Sequence, residues 1–396
     1  MYPKSIILVS GYMKSGKDTL GRVAVERFNF QRFAFADALK DEVTSRFAID
    51  RKLLDSQEGK GLPLDKLTFD RTNPIFIQLM LDEKAHGYLD LQHSSTTVRQ
   101  LLIAYGMSMR RQNSRYWAEE VAEQIQQTKA SFAIITDWRY PNELEAISDA
   151  FPDSNIQTMR VERFHKCYNM DPSETMLDEF HFDYVINNNE CLERFISKVT
   201  SIFYQWPFIK FLVMDVDDVL VKWFDAFQVF LREQGYLIPS HAPTSWNLSG
   251  WLSMTDEQVL HLVSVFNSSE AFGKLQPYDD AEEFLIFAKD AAYCTIALTC
   301  CSDDAQVRRL RHECLQRFTK RKLISHVTCL ALGASKKEFL SKLHYCTFVD
   351  DNPQHVLDAD DLGHRAILME RPWGNYEPKV SNLDSVVSLT DLMTLL

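Results

Sequence analysis

The chain has 396 residues, with 43 Lys and Arg against 55 Asp and Glu, a net charge of −12, and 45% hydrophobic residues. That is enough apolar material for two cores and excludes wholesale disorder. The acidic balance argues against a protein that grips long nucleic acid, but leaves room for small phosphorylated ligands held by local cations.

The first predicted element is a strand, Ser5–Ser10, running into Gly11-Tyr-Met-Lys14-Ser15-Gly16-Lys17-Asp18-Thr19 and a helix over Lys17–Phe28. Further helices are predicted at Val98–Tyr105, Ser114–Gln127 and Asn142–Asp149, with strands at Phe132–Thr136 and Gln157–Val161. A helix-like stretch over Cys191–Phe203 precedes a join near Tyr204–Pro207. There the pattern restarts, with an apolar strand Phe208–Met214 running into Asp215. Helical apolar spacing over about residues 220–278, with Trp223, Trp246 and Trp251, reads as a small cap inserted after that strand. Strands follow at Cys294–Leu298, Thr347–Val349 and Arg365–Leu368. Two three-layer α/β domains are expected, residues 1–205 and 206–396, with ligands at the strand C-termini. The N-terminus carries no signal-peptide pattern, and no stretch reaches the roughly 18 apolar residues of a membrane span. The eight Cys form no CxxC pair, so free thiols in a cytoplasm are expected.

Gly11, Gly16 and Lys17 fit G-x-x-x-x-G-K between a strand and a helix. Such a loop closes backbone N–H groups around phosphates, and its Lys reaches the terminal phosphates. Lys14 and Ser15 belong to the same cradle. The position after Lys17, usually Ser or Thr, is Asp18, so either Asp18 or Thr19 serves Mg²⁺. Phosphoryl transfer between two anions also needs cations. Arg99, Arg110, Arg111, Arg115 and Arg139 are candidates; Arg110, Arg111 and Arg115 read either as a lid or as a solvated helix start. Arg139 lies just past a strand end and suits bidentate capture of an acceptor phosphate, with Asp137 holding Mg²⁺ water. Asp37 either contacts the acceptor nucleoside or caps its helix.

The loop Gly16-Lys17-Asp18-Thr19 resembles that of phage-type (bacteriophage) deoxynucleoside monophosphate kinases of the P-loop NTPase class; animal phosphomevalonate kinases have a similar loop. Three further blocks fit in order: Phe35-Ala-Asp37-Ala-Leu-Lys40, Thr136-Asp137-Trp-Arg139-Tyr-Pro-Asn142-Glu143, and Ser173-Glu174 followed by Asp183–Asn187. The resemblance covers about residues 5–190. It implies ATP as phosphoryl donor, with Asp37, Lys40, Arg99, Asp137, Arg139 and Glu174 around the acceptor, to which the lid reading adds Arg110 and Arg111.

In the second half, Asp215-Val-Asp217-Asp218 leaves a strand with alternate carboxylates projecting into one site. Packing them together is costly unless a cation neutralises them. Asp215 as nucleophile, Asp217 as proton shuttle and a bound Mg²⁺ account for that cost; a Ca²⁺-binding or merely acidic turn is the alternative. Thr299 ends the next strand, Lys336 follows (preferred to Lys337 because Leu340 then falls four residues on), and Asp350-Asp351 ends another strand. This order resembles the haloacid dehalogenase-like (HAD) phosphohydrolases. The resemblance implies a phosphoryl contact for Thr299, charge neutralisation by Lys336, and Mg²⁺ held by Asp215, Asp217, Asp350 and Asp351. The cap and the tail Met369-Glu-Arg371-Pro372-Trp373-Gly-Asn375 are similar to the 5′(3′)-deoxyribonucleotidase branch, where an aromatic at the position of Trp223 stacks on the base. Asp218 stands where that branch commonly has Gly.

Together the halves suggest a bifunctional enzyme of deoxynucleotide metabolism, a monophosphate kinase joined to a 5′-nucleotidase-type phosphatase. Its partners would be nucleotides, with no stable nucleic-acid binding and no membrane, and a homodimer is compatible with the sequence. A polynucleotide 5′-kinase/3′-phosphatase and a degenerate regulatory domain are the alternatives.

Overall fold

The computed structural model describes residues 3–67, 72–81, 97–128, 130–164, 172–245, 247–372 and 383–396. Trp246, Trp373, Gly374, Asn375 and Cys167 lie outside the described residues. The chain divides into two compact units, residues 1–25 with 30–199 and residues 26–29 with 200–396. The division falls within the helix Leu192–Tyr204, a few residues before the expected join.

The first unit is built on five parallel strands: β1 (Ser5–Ser10), β2 (Gln31–Phe33), β3 (Phe132–Ile135), β4 (Asn155–Glu162) and β5 (Tyr184–Asn187), in the spatial order β2-β3-β1-β4-β5. All of β1 is buried, so both sheet faces are covered, as a parallel sheet requires. β1 lies between β3 and β4, and the chain passes from one side of it to the other between those two strands. That reversal opens a crevice at the strand C-termini, where α/β sheets place ligands. The Gly11–Thr19 loop occupies it, ahead of the helix Lys17–Arg27.

The second unit has six parallel strands: β6 (Lys210–Met214), β7 (Tyr293–Cys300), β8 (His326–Leu330), β9 (Cys346–Asp350), β10 (Arg365–Met369) and β11 (Asp384–Val386), in the order β11-β10-β9-β6-β7-β8. β6 pairs with β7 on one side and β9 on the other. The reversal point is therefore the β6–β9 edge, where Asp215 and Asp350 emerge. Between β6 and β7 the chain forms the helices Trp223–Glu233, Ser249–Leu252 and Asp256–Asn267. Phe227 and Phe266 are wholly buried in this insertion, with rings 5.4 Å apart.

The strands anticipated from sequence are found with only small shifts at their ends. Those not anticipated are β2, β5, β8 and β11, the four edge strands of the two sheets. An edge strand has one neighbour and a solvated flank, so its apolar run is short or broken; β2 and β11 each bury only their last residue.

Gly11 has φ +144, and a Cβ there would stand 2.4 Å from the Val161 carbonyl oxygen. Gly11→Ala is expected to cost the first unit about 2 kcal/mol or more, read as a lower urea midpoint. Gly61→Ala, with open space around its Cβ, should change it little.

Candidate functional site

The C-terminal tips of β6 and β9 bring three carboxylates together. Oxygens of Asp215, Asp350 and Asp351 all lie within 4.8 Å of one another. The register is set by the ladder itself: the Asp215 amide donates to the Val349 carbonyl at 2.8 Å, carrying the β6–β9 pairing one residue past the strand. Lys336, only 1% exposed, stands just before the short helix Lys337–Leu340 and donates to Asp215 at 2.5 Å and to Asp350 at 2.7 Å. Lys337 is instead half exposed, with Asp358 and Asp361 at 4.0 and 3.8 Å. The helical spacing that buries Leu340 turns Lys336 inward with it.

Burial pushes the Asp215 carboxyl up to about 6 against the pull of Lys336. Burial likewise lifts Asp351 well above the usual range, and the charges of Asp350 and Asp215 add to that. Burial works to raise Asp350 as well, yet Lys336 and His355 together hold it at about 2. Three buried carboxylates sharing one ammonium are under-neutralised. An oxygen-only donor set of that kind suits a hard divalent cation such as Mg²⁺. Asp217, expected among the ligands, stands apart from this trio: both its oxygens accept from one nitrogen of Arg311, at 2.7 and 2.6 Å. The Thr299 hydroxyl, in β7, is wholly buried and has no hydrogen-bond partner among the described residues.

Above the carboxylates lies a cavity of about 410 Å³, bounded by Asp217, Trp223, Val259, Leu260, Val263 and Lys336 among others. Trp223 is held in place on three sides. Its indole N–H donates to Asn267 at 3.1 Å, and its ring stacks on Phe227 at 4.8 Å and meets the edge of Phe266. Trp251 packs inside the cap, donating to the His241 carbonyl. Asp218 has φ +56, a left-handed conformation that accounts for glycine suiting this position. Its carboxylate accepts from the Phe224 amide and caps the helix that carries Trp223.

In the first unit, Lys14, Ser15, Gly16, Lys17, Asp18 and Thr19 line a second cavity of about 290 Å³ with Arg163, Asn188 and Glu190. Gly16 has φ +116, and a Cβ there would meet the Asn188 amide nitrogen at 2.5 Å. Asn188 ties the loop down by donating to the Ser15 carbonyl at 2.6 Å. Lys17 folds back onto the carbonyls of Gly11 and Tyr12, and burial lowers its pKa. Glu174 bridges the Met13 amide and Arg139, each at 2.9 Å.

The remaining candidates fall into two groups. Asp137, expected to hold Mg²⁺ water, accepts from the amides of Phe35 and Ala36, both at 2.8 Å. The capping task considered for Asp37 is thus done by Asp137. Asp37 instead accepts from Arg32, Lys40 and Arg51 at 2.7, 3.1 and 2.9 Å. Arg110 pairs with the buried Glu143 at 2.5 Å and lies over the Tyr140 ring, which ties it to the strand-end loop. Arg99 donates to Gln57, Arg111 is exposed, and Arg115 forms a surface pair with Asp149.

Sequence reasoning missed Arg311, His355 and Lys60. Arg311 had a signal: Val307, Leu310, Arg311 and Cys314 form one buried helical stripe, and a cation on such a stripe needs a buried partner. His355, 3.3 Å from Asp350, had none, because its neighbour comes from the tip of a strand. Lys60 lies near Lys40 and Arg99, and burial, then those two charges, lower its pKa.

No known protein family and no curated protein matches this chain. Solved structures similar to about half of it include dehalogenases and phosphatases. A dehalogenase with an intermediate complex is 15% identical, with TM-score 0.34, covering 48% of this chain and 97% of that one. CbbY from Rhodobacter sphaeroides in complex with phosphate is 13% identical, with TM-score 0.34, covering 46% and 96%. A HAD-superfamily hydrolase from Ehrlichia chaffeensis is 14% identical, with TM-score 0.29, covering 47% and 94%. Likeness this distant assigns no activity. All seven described cysteines are free, and no described helix is long and apolar enough to cross a membrane.

Mg²⁺ is expected to raise the melting temperature of the wild type, with Asp351→Asn removing most of the shift. In EDTA the sign follows from Asp215, whose pKa rises on folding from 3.8 to about 6. Its stabilising contribution is complete below the lower value and lost as pH climbs through that interval. Asp350, depressed on folding, acts below it. Asp215→Asn should flatten the fall, measured by urea unfolding at stepped pH.

Proposed function

We propose that the chain is a bifunctional nucleotide enzyme. Its second unit would dephosphorylate nucleoside monophosphates through an aspartyl-phosphate, and its first would phosphorylate deoxynucleoside monophosphates with ATP. The observation that carries the phosphatase reading is the buried Lys336 joining Asp215 to Asp350, with Asp351 alongside, beneath an aromatic-walled cavity. Its volume, about 410 Å³, suits one small ligand.

In this reaction an Asp215 oxygen attacks phosphorus in line, forming an O–P bond as the bond to the leaving oxygen breaks. Asp217 gives its proton to that oxygen, then takes one from the water that attacks the aspartyl-phosphate and releases phosphate. Lys336 offsets charge on the phosphoryl oxygens, and the Thr299 hydroxyl donates to one of them. Mg²⁺ bound by Asp215, Asp350 and Asp351 would supply further charge neutralisation there. Trp223 offers its ring to a base.

For the first unit, support comes from the Gly11–Thr19 loop at the reversal point of its sheet. Backbone amides and Lys17 would hold the ATP phosphates, Lys17 leaving the loop carbonyls to do so. Arg139 would grip the acceptor phosphate once Glu174 releases it. Either Asp18 or Thr19 would serve Mg²⁺. Two such activities on one nucleotide would only consume ATP, so the two sites are expected to prefer different nucleotides.

The test is a product screen over the ribo- and deoxynucleoside monophosphates, with and without ATP and Mg²⁺. Lys17→Ala should abolish diphosphate formation and spare phosphate release. Asp215→Asn should lower phosphate release at least ~10³-fold and spare the kinase. Release unchanged in Asp215→Asn would overturn the phosphatase reading. Identical nucleotide preference at both sites would count against the division of labour, and a preference for oligonucleotide ends over free nucleotides would favour an end-healing role.

A further inference from the structure

We propose that Arg311 is a positioning residue for Asp217, a role that rests on the phosphatase reading above. Arg311 lies on the helix Ala305–Cys314, which follows β7 and is capped by Asp304. Its side chain is wholly buried, and its Nη2 spans both oxygens of Asp217 at 2.7 and 2.6 Å. The guanidinium lies over the ring of the buried Phe272, 4.1 Å from its centroid, which fixes the plane from which that nitrogen donates. Asp217 itself keeps 23% of its side chain exposed and borders the cavity.

The neighbouring carboxylates are thus served by different cations. Lys336 holds Asp215 and Asp350, while Arg311 holds Asp217 away from that group. The separation has a chemical use. A carboxylate drawn in among Asp215, Asp350 and Asp351 could not face the leaving oxygen. Anchored to a rigid, planar, permanently charged group, it keeps one orientation through both proton transfers. Arg311 reaches the reaction through Asp217 and makes no claim on the phosphoryl group, so its loss should act on turnover and spare substrate binding.

Removing one partner of a buried ion pair leaves the other charge uncompensated, although Asp217 keeps 23% of its side chain exposed to water. Arg311→Met therefore accompanies Arg311→Gln, in case the polar replacement fails to fold. The probe is p-nitrophenyl phosphate, whose good leaving group keeps residual rates measurable. Each Arg311 variant is expected to lower kcat ~10- to 100-fold with KM within about twofold. In an Asp217→Asn background the same substitution should lower kcat less than about twofold, because its only route to the chemistry is already gone. The Mg²⁺-dependent rise in melting temperature should persist in every variant. Equal losses in both backgrounds, a KM that moves with kcat, or an unchanged kcat would each overturn the role of Arg311. Wild-type hydrolysis unaffected by Asp215→Asn would instead overturn the phosphatase reading itself, so the two failures are distinguishable.

Discussion

The second unit depends on one buried ammonium. Lys336 lies between Asp215 on β6 and Asp350 on β9, within 2.7 Å of both. Without it, three carboxylates would face one another across the crevice where the strand order reverses. Burial pushes all three carboxyls up; Lys336 and His355 overcome it at Asp350, which is held strongly acidic, while Asp215 and Asp351 stay raised. A site left this far from neutrality is disposed to take a divalent cation and an anionic substrate together, because each offsets the charge the other brings.

The first unit solves a similar problem with backbone in place of carboxylates. Gly11 and Gly16 allow the loop to bend back, and Asn188, just past β5, and Glu174, between β4 and β5, tether it. Several residues that look like catalytic acids turn out to serve this scaffold. Asp137 caps the helix Phe35–Phe47, and Glu143 binds the amides of Arg139 and Tyr140 while anchoring Arg110. A carboxylate at a strand tip can satisfy a helix N-terminus as readily as a metal. Spacing does not say which.

The central strands were legible because burial on both faces forces an unbroken apolar run, as in Ile6–Val9 and Phe211–Met214. The edge strands were not, since half their surface faces solvent and only a neighbour makes them strands. The same division holds at the sites. Gly11, Gly16, Lys17, Asp215, Asp217 and Asp350 lie at or just past the ends of central strands, where motif and geometry coincide. Arg311 and His355 come from helices that pack back onto those tips.

What the sequence by itself determined is therefore the sheet centres, the two polar strand ends and the residue types available there, because each is a property of contiguous residues. Tertiary structure alone decided which charge meets which. It paired Asp217 with Arg311 and assigned Asp137 to a helix end. Those choices depend on groups distant in sequence being desolvated together, where each buried charge must find a partner, and no local pattern encodes that partner.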